Sequence, residues 1–125
     1  MNSPAKRFLV FAACSGAVAV GLGAFGAHVL EDRLAEGMMA IYRTGVEYHF
    51  YHALGLLLVG IISSHAPSKQ LKWSALLLGL GIILFSGSLY VLAVSGIRWI
   101  GAITPVGGIS FIAGWVMLFV AIRKK

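Results

Sequence analysis

The chain has 125 residues, 59% of them hydrophobic and 11% charged, with a net charge of +6 and a mean hydropathy of +0.92. So little charge cannot cover the surface of a soluble domain, and several apolar runs approach the about 20 residues needed to cross a hydrocarbon core of about 30 Å. The cations flank those runs in small groups, as topology signals and headgroup contacts do, which excludes a basic groove for nucleic acid; the lone cysteine, Cys14, excludes an internal disulfide.

Four spans are expected, at 8–27, 43–62, 73–95 and 104–122, as one transmembrane domain with no room for a separate soluble one. The first follows Lys6 and Arg7. A basic start also suits a signal peptide, with "AFGA" before His28 as its cleavage site, but a run of this length followed by three more spans favours a membrane helix. Glycine and alanine crowd it in "AACSGAVAVGLGAFGA". Pairs such as Ala12/Gly16, Ala17/Gly21 and Ala19/Gly23, with Gly26 beyond them, leave a smooth stripe on which another helix can pack closely. The linker at 30–42, "LEDRLAEGMMAIY", repeats Leu30, Leu34, Met38 and Ile41 at three- and four-residue intervals. That periodicity predicts a short amphipathic helix lying in the interface.

The second span carries the polar residues. Its uninterrupted apolar core, 53–62, would reach only about 15 Å, half the bilayer. To cross, the helix must begin near Arg43 or Thr44, which draws Glu47, His49 and His52 of "TGVEYHFYHALG" into the membrane. On a helical wheel Arg43, Glu47 and Tyr51 share one face, and Tyr48, His52 and Gly55 another, with His49 further round. Glu47 is therefore expected to pair with Arg43 one turn away, and His52 to look towards the His28 end of the first span. A carboxylate at mid-bilayer costs about 3 kcal/mol and normally finds a partner. The expected reading is an interfacial ion pair with an aromatic belt of Tyr42, Tyr48 and Tyr51. The alternatives are a buried polar cluster that locks helices together, or a proton, ion or cofactor site. His28, His49, His52 and Glu47 lie towards one side and in principle suit a metal or haem, but HxxH alone is a weak signal and no metal or cofactor is expected.

In the third span Gly87 is one of several small residues. Before the fourth, Arg98 and Trp99 suit headgroup depth, Thr104 is placed to cap the free amides and Pro105 to open the helix. Gly107 and Gly108 then read as a close helix crossing. Lys6, Arg7, Lys69, Lys72, Arg123, Lys124 and Lys125 fall on one side, and Arg33, Arg43 and Arg98 on the other. The positive-inside rule puts both termini in the cytoplasm. No Walker loop, paired carboxylates or Ser-His-Asp set is present, and no internal repeat supports an inverted-repeat transporter.

The segments "GAFGAHVL", "YHFYHALGLLL", "SGSLYVL" and "TPVGGISFIAGW", in that order, resemble the YgdD/YwdK-like family of small bacterial inner-membrane proteins, whose label is domain of unknown function four-two-three. The resemblance covers nearly the whole chain. It implies four spans and an inner-membrane location, and brings no catalytic residues with it. His28, His52, Tyr90, Thr104, Pro105, Gly107 and Gly108 fall within the matching segments, with Glu47 and His49 at their margin.

The expected fold is all-α, an antiparallel four-helix transmembrane bundle. The leading functional reading is a non-enzymatic, oligomerising or accessory membrane subunit in the lipid bilayer, as a homo-oligomer or part of a larger complex, without nucleic acid. The first alternative is a homo-oligomeric proton- or ion-coupled transporter using Glu47 or His52. The second is haem, metal or quinone binding near His28 and His52.

Overall fold

Each apolar run becomes one long helix with a local reason for each end. The computed structural model describes residues 2–124. Helix α1 spans Ser3–His28; Asn2 caps it by accepting the Ala5 N–H at 2.8 Å, and Pro4 sits in its first turn, where a missing N–H costs nothing. Helix α2, Glu36–His65, runs 30 residues, about 45 Å at 1.5 Å per residue. Helix α3, Lys69–Ser95, starts on a Ser68 cap and stops at Gly96, whose φ of 73° is the left-handed value that only glycine takes freely. Helix α4 covers Thr104–Arg123. All four are long and apolar enough to cross a membrane.

Short links make neighbouring helices antiparallel, so α1 packs on α2, α2 on α3, and α3 on α4. The main core draws Leu56 and Val59 from α2, Leu71, Leu78 and Ile82 from α3, and Phe111 and Leu118 from α4. A smaller cluster of Leu30, Met39, Tyr42 and Ala93 closes the other end. Lipid tails are as apolar as leucine, so close packing and interhelical hydrogen bonds must hold this bundle together. The α3/α4 seam shows both. A Cβ on Gly107 would fall on the Phe85 backbone, and one on Gly81 would fall within the Phe111 ring. Ser74 donates to the Gly114 carbonyl and Ser110 to that of Leu77, each at 2.7 Å. At Ile82–Ser86 α3 widens into a π-turn beside this crossing, and there Ser86 donates to the Gly45 carbonyl of α2 at 2.7 Å.

Two local expectations are corrected. Residues 30–42 do not form a separate interfacial helix: Leu30–Asp32 is a single 3₁₀ turn, and the rest from Glu36 onward is the start of α2. Of the apolar repeat, Leu30 is buried and Leu34 and Ile41 pack half-buried on the same cluster, while the residues that go fully inside from α2 are Met39 and Tyr42, Tyr42 against Gly26 of α1. Thr104 does not cap α4. It is the first helical residue, and its hydroxyl shares a 2.6 Å hydrogen bond with Ser88 of α3.

Candidate functional site

Where three helices meet, α2 presents His49. In a membrane a polar side chain gains by finding a protein partner, and both nitrogens of this buried ring have one: Nδ1 lies 2.8 Å from the Tyr90 hydroxyl of α3 and Nε2 lies 2.9 Å from Ser15 of α1. Both partners are hydroxyls, which donate or accept, so either tautomer of the ring is satisfied. Gly45, one turn before His49, lets the Tyr90 ring lie against the α2 backbone. Ser15 falls near the middle of α1, so the junction lies deep in the bundle. Tyr42, one further turn up, donates to the Leu22 carbonyl of α1 and packs its ring at a tilt against Tyr90, centroids 5.4 Å apart. The arrangement ties α1, α2 and α3 together and provides a Ser15–His49–Tyr90 hydrogen-bonded chain.

His52 looks the other way. Its ring stacks on Phe111 of α4 with centroids 3.5 Å apart, and the Trp115 edge approaches it at 5.9 Å. Tyr48 and Phe85 complete the aromatic surround. Its Nδ1 lies 2.7 Å from the Tyr48 carbonyl. A carbonyl only accepts, so Nδ1 carries the proton and Nε2 presents the lone pair. The expectation that this face looks to the His28 end of α1 is corrected. His28 is exposed at the terminus of α1, and the antiparallel pairing of Leu22 with Tyr42 sets it beyond that level, more than about 15 Å along the bundle from His52.

The expected Arg43–Glu47 pair is also replaced. Arg43 binds Glu31 of the first link at 2.9 Å, in the open, because the 3₁₀ turn brings that carboxylate back over α2. Glu47 makes no ion pair among the described residues. It is exposed, on a different face of α2 from the buried His52. It borders a recess of about 190 Å³ with Gly23 and Ala27 of α1 and Tyr42 and Arg43 of its own helix. Glu47 lies between Tyr42, which meets Leu22, and His49, which meets Ser15. Its level therefore falls inside the apolar run of α1, on the outer wall of the bundle.

Of the belt tyrosines, Tyr48 and Tyr51 are exposed but Tyr42 is buried. No three His, Cys, Asp or Glu side chains converge as metal donors among the described residues. Among the glycines singled out for packing, Gly23 meets Val46, Gly26 meets Tyr42, Gly107 meets the Phe85 backbone and Gly108 lies beside the Phe85 ring. At Gly16, Gly21 and Gly87 an added Cβ would meet nothing within 4 Å, so these three make no close helix contact. The sequence reading missed Ser15 and Tyr90 as the partners of His49. The available signal was depth: each is a hydroxyl inside an otherwise apolar span, where it needs a partner as much as the histidine does.

Comparison with known proteins places the chain among relatives of the same length. A family model described as "Protein of unknown function (DUF423)" matches residues 22–108. The chain is 48% identical to the UPF0382 inner membrane protein YgdD of Escherichia coli (strain K12) over 122 residues, 96% of this chain and 93% of that protein. It is 45% identical to the UPF0382 membrane protein YwdK of Bacillus subtilis (strain 168) over 120 residues, covering 95% and 98%. Against the UPF0382 membrane protein SH2409 of Staphylococcus haemolyticus it is 47% identical over 119 residues, covering 95% and 97%. No solved structure matches it.

Proposed function

This chain belongs to the DUF423 family of membrane proteins, and from that premise we propose that it is a non-enzymatic membrane subunit that works by assembling, with copies of itself or within a larger membrane complex. The observation that carries the reading is Glu47, exposed on the outer wall at a depth where α1 is apolar. A carboxylate in lipid at that depth costs up to about 3 kcal/mol, and such groups normally face protein or water. Protein packed against this wall would remove the cost. Beside it, Ala13, Gly16, Ala17 and Val20 of α1 and Phe50 and Leu54 of α2 border a shallow groove of about 530 Å³. Its small-residue wall suits a closely packed helix.

A non-enzymatic role is supported by how the polar groups inside the bundle are used. Both nitrogens of His49 are taken by neighbouring helices, and Ser74, Ser86 and Ser110 donate to carbonyls across helix seams. The inner (plasma) membrane is supported by the relative named an inner membrane protein, and cytoplasmic termini by the seven-to-three distribution of lysine and arginine. Native mass spectrometry of protein extracted in mild detergent tests assembly. The expected result is a particle heavier than one 13.3 kDa chain, which Ala17→Leu returns to the mass of one chain. A wild-type particle of a single chain with no co-purifying protein would overturn the reading.

A further inference from the structure

α1 and α3 flank α2 on the end of the bundle where the described chain begins, and between them they leave a groove of about 490 Å³, within the about 300–1,000 Å³ of small-molecule sites. Its floor is apolar, with Leu56 of α2 and Ala75 of α3 both buried. Phe8 and Phe11 form the α1 wall, and Leu76, Leu80 and Ile83 the α3 wall. Two cations, Arg7 and Lys72, border it on opposite helices, and both are exposed. Every acidic residue of the chain, Glu31, Asp32, Glu36 and Glu47, belongs to the first link or the first half of α2, away from this mouth.

The polarity of the groove is graded along the bundle axis. Lys72 and Ile83 are eleven positions apart on α3, which is about 16 Å. One leaflet of a hydrocarbon core about 30 Å thick is about 15 Å deep. The groove therefore offers positive charge at one end and an apolar trough reaching to mid-bilayer, the inverse of an anionic phospholipid laid along it. Basic pockets between membrane helices hold acidic headgroups in this way. We infer that this groove is a binding site for one anionic glycerophospholipid, its phosphate between Arg7 and Lys72 and an acyl chain lying against Phe8, Phe11 and Leu80.

The test is native mass spectrometry of delipidated full-length protein titrated with phosphatidylglycerol or with phosphatidylcholine of the same acyl chains. Phosphatidylglycerol is expected to bind about tenfold or more tightly, given two cations near its headgroup. The double variant Arg7→Gln with Lys72→Gln is expected to bring the two lipids to equal affinity. Lys6→Gln with Arg123→Gln, an equal loss of charge at the same end outside the groove, is expected to keep the preference. Gly79→Leu, which fills the trough beside Phe11, is expected to weaken both lipids. Equal binding of both lipids by the wild type would overturn the inference, as would loss of the preference in the Lys6/Arg123 variant as large as in the Arg7/Lys72 variant. The groove is on a different face from the Glu47 wall, so assembly and lipid binding fail independently.

Discussion

The two helix hairpins of this bundle use small residues in opposite ways. Along α3/α4 three glycines are turned into the seam: Gly107 meets the backbone of Phe85, Gly81 meets Phe111, Gly114 meets Leu78, and a serine bond closes the seam from each side. Along α1/α2 they are divided. Ala12, Ser15, Ala19 and Gly26 are buried, while Ala13, Ala17, Gly21 and Ala24, at intervals of three or four, remain exposed. Helix α1 is the least buried of the four. One hairpin has spent its close-packing surface inside the chain and the other leaves half of it exposed. The same motif composition therefore packs in two ways, and the difference comes from which face meets the adjacent helix.

Substitutions separate the two hairpins by size of effect. The largest is expected at Gly107→Val, where a branched side chain is driven onto backbone that no rotamer change can move. Overpacking of this kind costs about 1–3 kcal/mol or more, read as a lowered unfolding midpoint in detergent by circular dichroism. Next comes the α1/α2/α3 junction. His49→Phe removes two interhelical bonds, each worth about 0.6 kcal/mol on average and up to about 1.7 in membrane proteins, so a loss of about 1–3 kcal/mol is expected. Ser15→Ala added to that variant should cost nothing further, which a double-mutant cycle checks; an additive loss would separate Ser15 from His49.

Smaller effects sharpen the contrast. Ser110→Ala removes one donor from the α3/α4 seam and should lower stability by about 0.6 kcal/mol, because the Leu77 carbonyl keeps its place in the helix. Ala17→Leu lies on the open side of α1. It should leave the unfolding midpoint of the single chain within the about ±0.5 kcal/mol of an ordinary surface change, while abolishing assembly. If it destabilised the single chain as Gly107→Val does, the two hairpins would not differ in the way the packing indicates.

Much of the frame was legible in the chain. Four apolar runs of spanning length fix four helices, because a backbone in hydrocarbon must satisfy its own hydrogen bonds. The ten-residue apolar core at 53–62 also required the polar stretch before it to be helical, and α2 carries that stretch in one continuous helix. Helical periodicity separated Glu47 from His52, and the structure leaves the first exposed and the second buried. Periodicity says which residues of one helix share a face, but nothing about what that face meets.

Tertiary structure decided the partners. The Arg43 side chain reaches Glu31 across the first link, although the sequence placed Glu47 one turn away. His52 stacks on α4 and His49 joins α1 to α3, because antiparallel register, not sequence distance, sets which depths coincide. The linker lost its separate helix because Met39 and Tyr42 found protein to pack on. Composition and hydropathy determine the solvent and the number of crossings, since those depend on segments summed one at a time. The junction at His49, the outward Glu47 and the groove between Arg7 and Lys72 each depend on two or three helices at once, and only their packing could place them.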